Sequence, residues 1–151
     1  MKNMNLSKWF TVVIFALLSA TTFGQTEVSA ADLTSEWQLM QVENGVQLSV
    51  RRDICTVEGA PKKFDYSFAK MVNTTNVDKT VVFQLAVQYD TDCYGCTANV
   101  ESVQSVTIPA NSSLSCDCNF EQMALAKLIN NLNFDDGRKF VSLKLIEFKA
   151  D

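Results

Sequence analysis

The chain has 151 residues, of which 47% are apolar, 20% charged and 10% aromatic, with five Cys and no His. One globular domain fits that composition; a disordered tail, a collagen-like repeat or a multi-span membrane protein does not. The absence of histidine excludes Ser-His and Cys-His nucleophiles and every His-ligated metal site.

Residues 1–24 read as a cleaved secretory signal. Lys2 and Lys8 form a positive start, an apolar run extends from Trp9 to Ala20, and Thr21-Thr22-Phe23-Gly24-Gln25 follows. That order of basic, apolar and small marks export, and the run falls short of the roughly 20 apolar residues a span needs. Thr22 and Gly24 suit the −3 and −1 positions of a peptidase site, which places the cut before Gln25; a second option lies near Ala30-Ala31. The expected location is secreted or periplasmic, with no transmembrane segment in the mature chain. Residues 25–151 keep 11 basic against 17 acidic residues, a formal charge of −6. Such a chain repels phosphate backbones, and Arg51-Arg52 and Lys62-Lys63 are too few to reverse that, so nucleic acid is not an expected partner.

The mature part reads as a single domain. Val46, Leu48, Val50 and Ile54 alternate with polar residues, the period of a half-buried strand, and Asn44-Gly45 before them suits a two-residue hairpin from a partner strand over 37–42. Leu33, Trp37 and Met40 could instead line a short helix. Phe64, Tyr66 and Phe68 mark the next strand. Val81, Phe83, Leu85, Val87 and Tyr89 mark the clearest one. Further strands are expected over Val100–Ile108 and, after the turn at Pro109 to Ser113, over Leu114–Phe120. Asn119 with Gln122 forms a capping box, and Leu125, Leu128, Ile129 and Leu132 share one face at helical spacing, which predicts a short helix. A last strand over Lys139–Phe148 is apolar on both faces, with the helix as the expected cover for one of them.

The cysteines are the one chemical constellation. Cys116 and Cys118, two apart on an expected strand, point the same way. A bond between them lies at the limit of disulfide reach, so each should pair elsewhere. The spacing C-x2-C-x19-C-x-C over Cys93, Cys96, Cys116 and Cys118 approximates a four-thiolate site for one Zn²⁺ or Cu⁺. Export favours disulfides instead, so no cofactor is expected and the metal site stands as the alternative. The pairing expected from the sequence ties the 93/96 loop to the 116/118 segment, with Cys55 free or substituting for one of them. A redox-active Cys93/Cys96 pair is the third reading; neighbouring Asp90 and Asp92 would raise its thiol pKa and oppose it.

Weaker motifs carry less. Ser67-Phe68-Ala69-Lys70 matches S-x-x-K, but on a strand the Ser and Lys face opposite sides. Asp90, Asp92, Asp135 and Asp136 lack the register of a calcium loop and suit turns. Asn73-Thr74-Thr75 and Asn111-Ser112-Ser113 predict exposed loops.

Three passages together carry a resemblance: Phe23-Gly24-Gln25, the run from Phe68 through Asn73-Thr74-Thr75-Asn76 to Phe83, and Ile108-Pro109-Ala110-Asn111-Ser112-Ser113-Leu114-Ser115-Cys116. In this the chain resembles the small exported immunoglobulin-like proteins of the Bacteroidota. The resemblance implies a fold and a compartment and transfers no catalytic residue. The chain lacks the Cys-Trp-Cys core of antibody domains, since Trp37 precedes every cysteine. The expectation is a mainly β, immunoglobulin-like antiparallel β-sandwich with one short α-helix near the C-terminus. It is expected to be non-enzymatic and to present loops to a protein or cell-surface ligand.

Overall fold

The computed structural model describes residues 26–56, 59, 62–97 and 101–151. The expected leader, residues 1–24, and the expected cut before Gln25 fall outside the described residues. Among the described residues, ten strands form two antiparallel five-stranded sheets. The first sheet contains β1 (Glu27–Ser29), β10 (Phe140–Ala150), β5 (Lys79–Tyr89), β6 (Cys93–Tyr94) and β7 (Gln104–Ile108), with β6 and β7 both on the edge of β5. The second contains β2 (Gln38–Glu43), β3 (Val46–Thr56), β4 (Lys63–Asn73), β8 (Ser113–Ser115) and β9 (Ala126–Asn131), with β8 and β9 both on the edge of β4.

The β2–β3 hairpin forms where Asn44-Gly45 predicts it. Both residues have positive φ, 46° and 81°, as a primed two-residue turn requires. A Cβ at Gly45 would lie 2.3 Å from the Thr75 methyl, so the turn needs glycine for space as well as for conformation. The alternative helix through Leu33, Trp37 and Met40 does not form.

Inward residues of both sheets share one core. Val46, Leu48 and Val50 stand opposite Asn73, Met71 and Ala69 across β3 and β4, and Val81, Phe83 and Val87 of β5 are buried with them. The last strand resolves its two-sided apolarity without a cover. Its register against β5 shifts twice, between Phe140 and Ser142 and between Leu145 and Glu147. Each bulge reverses the parity of the chain. Phe140, Leu143, Leu145, Phe148 and Ala150 thereby all stand opposite inward residues of β5: Tyr89, Val87, Leu85, Phe83 and Val81.

The expected helix over 119–132 is overturned. Only a single 3₁₀ turn, Met123–Leu125, forms, and the chain then extends as β9 along β4. Leu125 and Ile129 are buried, while Leu128 and Leu132, on the helical face with them by sequence, are each 44% exposed. Tertiary anchors override the local signal. Cys118 is bonded to Cys55, Phe120 takes a left-handed conformation with φ 59°, and its ring packs 4.9 Å from Tyr66 and 6.0 Å from Phe68. Asn119 Oδ1 accepts from the Glu121 amide, closing a tight turn instead of a helix. The open edge of β4 then offers Ala126–Asn131 backbone partners from Phe68 to Phe64, with one register shift between Tyr66 and Asp65.

Strands β8 and β9 pair successive stretches of β4, residues 70–72 and 64–68. They amount to one edge strand interrupted by the excursion 116–125. The excursion covers the outward side of β4, where Phe64, Tyr66 and Phe68 form a second apolar layer with Phe120. These three aromatics alternate as the sequence predicts and lie on the side of β4 opposite Asp65, Ser67, Ala69 and Met71; Phe68 is fully buried and joins the core cluster, with Tyr66 and Phe120 packed against it. The Cys116–Cys118 segment lies beyond β8, not within a strand.

Candidate functional site

The five cysteines separate into two bonds and one thiol. Cys55 and Cys118 are joined with Cα atoms 5.3 Å apart, and Cys93 is joined to Cys96 with Cα atoms 5.7 Å apart. Cys116 is free and buried. This corrects the expected tie between the 93/96 loop and the 116/118 segment. The reason is placement: Cys93 and Cys96 sit at the edge of the first sheet, whereas the excursion covers the outer side of the second. Gly95, with φ 83°, folds the CxxC loop tightly enough for its own sulfurs to meet. Burial pushes the Cys116 thiol above its usual pKa, which keeps it protonated and unreactive.

Cys93, Cys96, Cys116 and Cys118 are therefore not brought together as a four-sulfur set. Among the described residues no cluster of three or more Cys, Asp and Glu side chains has metal-binding geometry. The loop acids have other partners. Asp90 accepts from the Lys139 amide, Asp135 from the Gly137 amide, and Asp136 and Asp92 pair with Arg138 at 2.6 and 3.7 Å. Asn73 is not in an exposed loop. It is 1% exposed, its Nδ2 donates to the carbonyls of Val77, Ile108 and Pro109, and its Oδ1 accepts from the Thr75 amide and hydroxyl. Ser67 is buried, and Lys70 points to the other face beside Trp37. Ser67 and Lys70 therefore form no nucleophile–base pair.

One open side of the molecule, between β9 and β6, carries the remaining unusual chemistry. There a groove of ≈ 530 Å³ is lined by Tyr66, Tyr89, Tyr94, Lys127, Leu128 and Arg138 among others. It adjoins a second of ≈ 340 Å³ through Tyr94, Met123, Ala126 and Lys127, which line both. Tyr89 donates its hydroxyl to the Ile129 carbonyl, linking the first sheet to β9. Arg138 stacks 4.5 Å above the Tyr89 ring while Asp136 holds its charge. Burial raises the Tyr89 pKa.

Lys127 is the residue the sequence reading missed. It stands opposite buried Ser67 in the β4–β9 ladder, so its stem enters the inward side, and its ammonium lies 4.8 Å from the Tyr94 ring centroid. A Cβ built on Gly95 would meet the same Nζ at 3.5 Å. No described carboxylate lies within ion-pair distance of it, and burial lowers its pKa. A signal did exist: in Leu125, Lys127 and Ile129 a charge occupies the inward parity of a strand, but the helical reading of the same residues hid it. Tyr94, 64% exposed, is held over that charge by its pairing with Val87.

Comparison of the chain with protein-family profiles, curated proteins and solved structures finds no match.

Proposed function

We propose that the chain is exported and that its mature part, residues 25–151, is an immunoglobulin-like β-sandwich acting as a non-enzymatic binding module. Its ligand is a small ring-bearing molecule seated in the groove between β6 and β9. The groove itself carries this reading: Tyr89 and Tyr94, with the cations Lys127 and Arg138, line a space of ≈ 530 Å³ that the core does not fill. Pockets that combine aromatic walls with a few fixed polar groups are the usual form of a small-molecule site. Tyr94 offers an open face, Tyr89 is fixed by the Ile129 carbonyl, and Lys127 supplies a charge that no described carboxylate neutralises.

Export is supported by the basic–apolar–small order of residues 1–24 and by two disulfides, which persist in oxidising compartments. The fold favours the cut before Gln25. Cleavage at Ala30 would remove β1, whose Val28 is buried and whose pairing covers β10.

The binding test is saturation-transfer NMR on the purified mature protein with phenyl-β-D-glucoside, 4-hydroxybenzoate and indole-3-acetate. At least one ring is expected to receive transfer, and Ala126→Trp, which fills the groove, should abolish it. Transfer to none, or transfer that survives the filled groove, overturns the reading. Thiol counting with metal analysis on the same material should give one thiol per denatured chain and no metal. Four thiols with one Zn²⁺ or Cu⁺ would replace the binding module with a thiolate metal carrier.

A further inference from the structure

We propose that Cys93–Cys96 is a thiol–disulfide exchange site, accepting two electrons from an external dithiol, with the Lys127 ammonium stabilising the thiolate that reduction creates. This stands independently of whether a ligand enters the groove.

Three observations converge. First, the bond joins residues only three apart in sequence, so opening it releases no distant part of the chain. The loop keeps its place by other means: buried Gln84 donates from Nε2 to the carbonyls of Gly95 and Thr97, and Tyr94 and Cys93 pair with β5. Second, both cysteines are half-buried at the surface, so a thiol reagent can reach them, whereas Cys116 is buried. Third, Lys127 rests against Gly95, inside the Cys-x-x-Cys turn, with no described carboxylate paired to it. A desolvated ammonium without a counter-ion is stabilised by an anion formed beside it, and nearby cations lower thiol pKa values.

The acids that oppose this chemistry in the sequence are engaged elsewhere. Asp92 pairs with Arg138, and Asp90 accepts the Lys139 amide. Among the described residues, the ionisable groups lining the grooves beside the loop include Lys127, the Tyr94 and Tyr89 phenols and the Arg138–Asp136 pair, with Glu101 across the adjoining cavity.

The exchange balances as follows. One sulfur of the external dithiol attacks one sulfur of the pair, the Cys93–Cys96 bond breaks, and a mixed disulfide forms. The second external sulfur displaces the protein sulfur and closes the reagent's own disulfide. Two electrons pass to the protein, and the reagent's two protons are transferred to the released sulfurs. One protein sulfur then yields its proton to solvent and stays as the thiolate beside Lys127.

The test uses the mature protein under native conditions, titrated with dithiothreitol and mapped by iodoacetamide labelling and mass spectrometry. Cys93 and Cys96 should label at reductant concentrations that leave Cys55–Cys118 closed and the circular dichroism unchanged. Labelling should be about threefold slower at pH 7 in Lys127→Met for each unit by which the thiol pKa rises, since lost thiolate is partly offset by greater nucleophilicity. Lys127→Arg should restore the rate. Simultaneous opening of both disulfides, an ordinary thiol pKa in the labelling profile of the unsubstituted protein, or a rate indifferent to Lys127→Met would each overturn the proposal.

Discussion

Cys55–Cys118 links residues 63 apart and fastens the excursion after β8 to the end of β3; Cys93–Cys96 links residues three apart within one turn at a sheet edge. The covalent bond is the same, but the constraint is not. In the chain-entropy account, closing a loop of about 60 residues contributes about 4 kcal/mol, and closing one of about four contributes roughly 2 kcal/mol. Around Cys55–Cys118, Phe120, Tyr66 and Phe68 depend on the excursion being held down. Around Cys93–Cys96, the Gln84 amide already holds the loop carbonyls. One bond shapes the fold; the other is free to change state.

The sharpest way to break this comparison is to remove the long-range bond. Cys55→Ser with Cys118→Ser should cost about 4 kcal/mol, measured by urea unfolding. A loss below that of the short bond would refute the assignment of structural weight. Removing the packing that the bond protects comes next. Phe120→Ala should cost roughly 3 kcal/mol, at the low end for an aromatic truncation because the ring is only partly buried. That loss should shrink in the background lacking Cys55–Cys118, because the two act on the same segment.

Cys93→Ser with Cys96→Ser should cost about 2 kcal/mol at most, with the heteronuclear NMR spectrum changing only near β6 and β9. The smallest effect concerns Lys127. Burial depresses its folded pKa, so across the window from that depressed value up to the ordinary lysine value of about 10.4 the unfolded chain binds more protons. Stability attributable to this residue therefore rises with pH through that window. Lys127→Met should remove the rise, seen as a flatter pH dependence of the denaturation midpoint on the approach to the ordinary lysine value of about 10.4. A slope identical to that of the unsubstituted protein would mean that the ammonium is not desolvated.

Much of the β architecture was legible because alternation and turn chemistry act locally. The Asn44-Gly45 hairpin and the inward set from Val81 to Tyr89 follow from a two-residue period and from φ tolerance alone. The excursion did not yield to that reasoning. Asn119 and Gln122 do make a local helix start, and Leu125, Leu128, Ile129 and Leu132 do share a helical face. What outweighs them is an anchor at Cys118 and an aromatic site for Phe120, both formed by residues more than fifty positions earlier. The candidate site was illegible for the same reason: recognising Lys127 as inward requires knowing that its segment is a strand.

From its residues alone the chain shows an acidic composition, an extended backbone through most of its length and five cysteines, because composition and periodicity report charge and burial directly. Which sulfurs meet, which side of β4 the aromatics take, how two bulges bring Phe140, Leu143, Leu145, Phe148 and Ala150 to one face, and that Lys127 stands beside Gly95 were decided by tertiary structure. Those outcomes depend on which distant strand edges are left open to pair, and a local pattern carries no record of its distant partners.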